Sequence, residues 1–260
     1  MRLIVRPDYD SVSEWAADFV ASRISGCGDR PFVLGLPTGS TVLGLYERLR
    51  GFCREGKLSF ANVVTFNMDE YVGLPEGHPQ SYRRFMWDKL LSGVDIKPEN
   101  AHILDGNSPD PARECADYEA AIAAAGGIDL FVGGVGSNGH IAFNEPGSPP
   151  SSRTRMIRLS GETKSANARF FDGDPEAVPT AALTVGIGTV ADAEEVLILA
   201  SGLAKSRAIR QAVEEGPDLQ WPISALQAHP RCIFACDEDA ASELKPGTLR
   251  AAAAIGELPA

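Results

Sequence analysis

Two short stretches of this sequence gather side chains that can move protons, and three others can hold an anion. Asp69 and Glu70 close the segment VVTFNMDE. If VVTF is a strand, adjacent carboxylates on an extended backbone point to opposite sides, so at most one of them faces a ligand. A carboxylate in that place suits removal of a proton from a carbon next to a carbonyl, the central step of aldose-ketose isomerisation. A solvated loop pair is the alternative. His140 and Glu145 lie close together in GGVGSNGHIAFNEP. An imidazole there can deliver or take a proton near neutral pH, and a nearby carboxylate can orient it or raise its proton affinity. A structural histidine is the plainer reading.

The segment LPTGST supplies Thr38, Gly39, Ser40 and Thr41. It has the parts of a phosphate cradle: glycine lets the backbone approach, hydroxyls donate, and a following helix offers free amides and the favourable end of its dipole. No GxxxxGK[ST] pattern is present, so the outer phosphates of a nucleoside triphosphate have no candidate. A simple helix N-cap is the alternative. Arg169 in SANARFF and Lys205 in SGLAKSRAI are the best cations for a phosphate, one planar and bidentate, the other a reaching point charge. Solvation on a helix is the usual fate of such residues. Gly134, Gly136 and Gly139 match GxGxxG, a dinucleotide signature when a helix follows and an acid stands about 20 residues on. Here Pro146 soon follows, and the later residues are Arg153, Arg155 and Arg158, so the match does not support a nicotinamide cofactor.

The elements that must position these residues follow from periodicity. Apolar runs of strand length alternate with amphipathic segments: FVLGL then VLGLYERLRGF, VVTF then SYRRFMWDKLL, IDLFVG, ALTV, VLILA then LAKSRAIRQAVEE, CIFAC then EDAASEL. That alternation predicts a single-domain, Rossmann-like, doubly wound α/β fold over residues 1–260, its mostly parallel sheet covered by helices on both faces. A further helix is predicted over Ser11 to Ile24, capped by Asp10 or Ser11. The tail from 251 to 260 reads as frayed helix or disorder. In such sheets ligands sit at the carboxyl ends of strands. Thr38 to Thr41, Asp69, Asn138 to Glu145 and Lys205 all follow apolar runs, so they should converge on one crevice.

Composition bounds the partners. A formal charge of −11 argues against nucleic acid and anionic membranes, which recruit basic surfaces. No apolar run is long enough to span a bilayer, and the N-terminus does not read as a cleaved leader. Five scattered cysteines (Cys27, Cys53, Cys115, Cys232, Cys236) suit a reducing, cytoplasmic compartment. Cys232 and Cys236 have neither redox nor zinc spacing and read as small buried hydrophobes.

Taken together, LGLPTGST, VVTFNMDEYVGL, GGVGSNGHIAFNEP, SRTR, ANARFF, LTVGIGT and DAEEV resemble the glucosamine-6-phosphate deaminase family, in order and spacing, from RPFVLGLPTG to ELKPGTLR. The resemblance implies conversion of an amino-sugar phosphate to fructose 6-phosphate and ammonia, with no metal and no cofactor. It implies Asp69 as the base between carbons 2 and 1, and His140 with Glu145 in ring opening. Thr38, Gly39, Ser40, Thr41, Arg169 and Lys205 match the phosphate-holding positions. Asn138 departs from the well-known allosteric members, which carry aspartate there. Asn can orient the ring but adds no charge to favour imidazolium. Those regulated members also bind N-acetylglucosamine 6-phosphate between subunits. Here Arg155 is kept, but Ile157, Pro149 and Ala251 replace a lysine, a serine and a tyrosine, so that activation is expected to be absent or weak. Monomer and homo-oligomer both stay open. The rivals are galactosamine-6-phosphate deaminase, 6-phosphogluconolactonase, against which NMDEYVGL and FNEP argue, and a non-catalytic sugar-phosphate sensor.

Overall fold

The structure, a computed structural model, describes residues 1–75 and 77–256. Its strands are β1 (Arg2–Arg6), β2 (Phe32–Leu36), β3 (Val63–Asn67), β4 (Asp69–Tyr71), β5 (Ala101–His102), β6 (Leu130–Gly134), β7 (Arg155–Arg158), β8 (Ala181–Thr184), β9 (Glu195–Ala200) and β10 (Cys232–Asp237). Its helices are α1 (Tyr9–Gly26), α2 (Leu43–Arg54), α3 (Tyr82–Lys89), α4 (Pro111–Ala124), α5 (Gly161–Asn167), α6 (Ile187–Ala191), α7 (Ser206–Val213), α8 (Glu238–Ala241) and α9 (Pro246–Gly256).

Seven strands form a parallel sheet in the order β1-β10-β9-β6-β2-β3-β5. The expected doubly wound α/β architecture is therefore present. The apolar runs are continuous because both faces are covered. In β9, Val196, Ile198 and Ala200 face a core shared with α4, α7 and α8. Leu197 and Leu199 face the opposite core with α1, α2 and α3. Each large apolar side chain buried this way contributes about 1.5–3 kcal/mol, so a strand this apolar cannot leave either face to water. Cys232 and Cys236 sit buried within β10, as expected of small hydrophobes.

Three details differ from the sequence expectation. ALTV is not in the parallel sheet: β8 is the middle strand of a second, antiparallel sheet, β4-β8-β7. Its Ala182 covers a small cluster with Tyr71, Phe143 and Phe171, while Leu183 faces the larger core. Helix α1 begins earlier than predicted. Its cap is Asp8, which is extended and accepts a hydrogen bond from the Ser11 amide at 2.8 Å, so the acid next to Pro7 does the capping rather than Asp10 or Ser11. Several elements, among them strands β1, β4, β5 and β7 and helices α4 and α6, have no counterpart in the sequence pattern. β1 is short and flanked by arginines, β5 has two residues, and α4 is rich in alanine. Of the tail, Ala251 to Gly256 continues α9, while 257–260 lie outside the described residues.

The chain runs outward from β2 to β3 and β5, then returns to β6 on the other side of β2. That reversal opens a crevice at the carboxyl ends of β2 and β6. Close packing there depends on Gly35, whose strand partner is Phe131. A Cβ on Gly35 would fall 2.5 Å from the Phe131 ring. Gly35→Ala is therefore expected to lower unfolding stability by about 1–3 kcal/mol, read from urea or thermal denaturation.

Candidate functional site

A cleft of about 400 Å³ occupies the switch point, and every site residue expected from the sequence lines it: Thr38, Gly39, Ser40, Thr41, Asp69, Asn138, His140, Glu145, Arg169 and Lys205. The convergence of strand ends holds, with one addition: Arg169 arrives from the 3-10 turn Ala168–Phe170 that follows α5, above the small sheet.

Asp69 and Glu70 part as an extended backbone requires. Glu70 turns away from the cleft. Its two carboxylate oxygens accept from the Tyr71, Tyr82 and Arg83 amides at 2.8–2.9 Å, two of which open α3. Asp69 faces the cleft at 7% exposure. Its Oδ1 is fully buried with no hydrogen-bond partner among the described residues. Burial, with the Glu70 charge adding to it, pushes the Asp69 carboxyl up to about 8. A carboxylate so poorly solvated is a strong base when ionised.

The histidine loop leaves β6 and makes no helix before β7 among the described residues. The glycine pattern therefore has no helix N-terminus to offer a pyrophosphate. It serves the imidazole instead: a Cβ on Gly136 would overlap the His140 ring, 2.2 Å from Nδ1. Gly139 takes a φ of +80° with its α-carbon face against Trp221. His140 Nδ1 lies 2.6 Å from Asn138 Oδ1. Asn138 Nδ2 donates to Glu145 Oε2 at 2.9 Å. Because a carboxylate only accepts, the amide nitrogen must face Glu145 and the amide oxygen must face the ring. His140 thus carries its proton on Nδ1, leaving Nε2 as an acceptor. Burial lowers its proton affinity, Glu145 at 3.9 Å opposes this, and Lys205 adds to the lowering. The ring is held neutral and ready to take a proton.

The opposite end of the cleft is cationic. Gly39, at φ +100°, leads into the 3-10 turn Ser40–Val42 and then α2. Gly202, at φ +86°, leads in the same way into Leu203–Lys205 and α7. Thr38 to Thr41 at the first turn and Lys205 at the end of the second line the cleft. The first is clamped by Tyr46, which donates to Pro37 O at 2.5 Å, and by Tyr9, which donates to Ser40 O at 3.1 Å. Burial lowers the proton affinity of Lys205, and the Arg169 charge lowers it further. Two cations that repel each other in a half-buried cleft are best satisfied by an anion between them.

Several cleft residues were not read from the sequence. Thr163 donates to Glu145 Oε1 at 2.7 Å, and Asn167 donates to the Tyr71 hydroxyl at 2.9 Å. Tyr82, Ala142, Phe143, Glu162 and Phe170 also line the space. The only local signal was Ser160, which caps α5 and so fixes where Thr163 falls on it.

A doubly wound sheet whose switch point sets a dry carboxylate and a neutral imidazole opposite paired cations defines an acid-base protein acting on a small organic anion. The family described as glucosamine-6-phosphate isomerases/6-phosphogluconolactonase matches residues 7–234, and the chain belongs to it. The glucosamine-6-phosphate deaminase of Parabacteroides distasonis is 55% identical over 251 residues, 95% of this chain and 93% of that protein. A solved structure described as a monomeric glucosamine-6-phosphate deaminase has a TM-score of 0.89 at 38% identity, covering 93% of this chain and 99% of that one. A 6-phosphogluconolactonase from Trypanosoma cruzi has a TM-score of 0.73 at 20% identity, covering 94% and 97%, a likeness that shows the fold alone.

Asn138 is neutral where a charge would favour imidazolium. Asn138→Asp puts a carboxylate beside Nδ1, so His140 in that variant should titrate at higher pH than in the wild type. Imidazole NMR titrations that return one midpoint for both proteins would refute this.

Proposed function

We propose that this protein is a glucosamine-6-phosphate deaminase, converting glucosamine 6-phosphate and water to fructose 6-phosphate and ammonia. The observation that carries the proposal is the buried, unpartnered Asp69 carboxyl in one cleft with the Arg169 and Lys205 cations. A lactonase only hydrolyses an ester and has no need of a base for a carbon-bound proton. High identity over nearly the whole chain to a protein named as this deaminase supports the same choice.

The phosphate would lie against Thr38 to Thr41, Lys205 and Arg169, which places the sugar's reacting end toward Asp69 and His140. His140 Nε2 takes the proton of the anomeric hydroxyl and returns it to the ring oxygen, opening the ring. Asn138 and Glu145 keep the imidazole in the tautomer this requires. Asp69 then removes the proton from carbon 2 while the substrate's own ammonium passes a proton to the carbon 1 oxygen, giving an enolamine with a hydroxyl on carbon 1. The same carboxyl delivers that proton to carbon 1, leaving an imine at carbon 2. Water adds to the imine carbon and ammonia leaves, which yields the ketose. No step calls for a metal or a redox cofactor, and the described residues hold no cluster of three or more metal-ligating side chains.

A cytoplasmic setting belongs to the same proposal. It is supported by an odd number of cysteines scattered through a chain too large to need disulfide staples.

The direct test is coupled detection of ammonia and fructose 6-phosphate, with galactosamine 6-phosphate as a second substrate. Asp69→Asn should lower kcat by at least about 100-fold. Asp69 must be ionised to act, and its carboxyl titrates at about 8. The rate in kcat/KM should therefore rise with pH through that region, because the protonated form dominates below it. A folded wild type that releases no ammonia would overturn the deaminase and leave the lactonase and sensor alternatives.

Regulation is open to a second measurement. Ile157 packs against the apolar cluster around Tyr71 and Phe143, so this position has no cation for an anionic effector. The Arg155 side chain, at the head of β7, donates to Arg153 O at 3.2 Å. Initial-rate curves are expected to be hyperbolic and unchanged by N-acetylglucosamine 6-phosphate. Sigmoidal curves made hyperbolic by that compound would refute this.

A further inference from the structure

Glu145 belongs to a loop, and a glutamate on a loop has three side-chain torsions to settle. Asn138 holds one of its oxygens, Oε2, at 2.9 Å. A single donor leaves the carboxylate free to pivot about that contact. The second donor comes from another element: the Thr163 hydroxyl reaches Oε1 at 2.7 Å from the first turn of α5. Its direction is unambiguous. The carboxylate can only accept, so the one Thr163 hydroxyl proton goes to Glu145. Ser160, whose Oγ lies 2.9 Å from Thr163 Oγ1, then donates to it, while accepting the Thr163 amide at 3.1 Å. Every proton in this chain has one place to go.

We infer that Thr163 is a positioning residue for the acid-base end of the site, fixing Glu145 and through Asn138 the orientation of His140. The inference rests on the deaminase proposal. It goes further by assigning a role to a residue on the segment that also carries Arg169. Thr163, Asn167 and Arg169 all line the cleft from one short stretch of α5 and its following 3-10 turn. That stretch is tied to the small sheet by the Asn167 to Tyr71 hydrogen bond at 2.9 Å. The group that meets the anionic end of the ligand and the group that steadies the ring-opening end therefore share one continuous piece of backbone. Their separation is set by local helical geometry rather than by two independent loops.

The test uses the full chain with Thr163→Val, Thr163→Ser and the wild type, each checked for a matching thermal unfolding midpoint. Ammonia release should show kcat reduced roughly 10- to 100-fold in Thr163→Val, the scale of a small misplacement of a catalytic group. KM should stay within about 2-fold, because the phosphate contacts are intact. Thr163→Ser keeps the hydroxyl and should recover kcat to within about 3-fold of wild type. His140 imidazole nitrogen shifts, recorded without substrate, should move in Thr163→Val and not in Thr163→Ser. An unchanged kcat in Thr163→Val, equal losses in the valine and serine variants, or a loss confined to KM would each overturn the role. Unmoved His140 shifts in Thr163→Val would overturn it even if the wild type proved not to release ammonia, an outcome that by itself counts against the deaminase proposal.

Discussion

The peptide of Met68 joins the two sheets, and the site depends on that junction. Its amide donates to Leu36 O at 2.9 Å on one side, and its carbonyl accepts from the Val185 amide at 2.8 Å on the other. Buried backbone groups must be paired, so the chain passes from β3 to β4 with no slack. Asn67 closes the parallel sheet and Asp69 opens the antiparallel one. The two carboxylates that follow are sent to opposite sides, Glu70 onto the start of α3 and Asp69 into the cleft. The same junction brings β7 and β8, and with them α5 and Arg169, over the crevice.

Around that junction the molecule tolerates arrangements that a stability-driven sequence would avoid. Asp69 is denied both water and a hydrogen-bond partner at Oδ1. Burial and the Arg169 charge weaken the hold of Lys205 on its proton. Ala142, in the cleft wall, takes a left-handed φ of +50°, a conformation that costs a residue with a side chain about 1–2 kcal/mol. Two apolar cores, one on each sheet face, offset these penalties. Local rules are broken where function is served and obeyed elsewhere.

The neutral Asn138 separates two jobs that an aspartate would combine. Orientation of the ring survives, because the amide has a donor for Glu145 and an acceptor for Nδ1. Charge stabilisation of an imidazolium does not. A half-buried neutral histidine that only has to relay a proton within one sugar ring needs the first job more than the second. Glu145, held by Asn138 and Thr163 together, supplies a negative charge 3.9 Å from the imidazole.

The parallel sheet and the chemistry at its strand ends are legible in the amino-acid sequence. Continuous apolar runs such as FVLGL and VLILA, alternating with amphipathic segments, are the signature of strands covered on both faces, and Thr38, Asp69, His140 and Lys205 fall within a few residues after such runs. These signals are local, since periodicity and strand-end polarity are written within a few residues. Tertiary structure decided the rest. ALTV reads like any buried strand, and only its pairing with β4 and β7 reveals the second sheet. The direction of Glu70, the tautomer of His140, the cap at Asp8 and the reach of Thr163 and Asn167 into the cleft have no comparable local pattern. Asn167 meets Tyr71 from 96 residues away, and Thr163 meets Glu145 from 18. Contacts at that separation depend on how elements pack and on which donors remain unpaired once they have, and neither is encoded in any short stretch of chain.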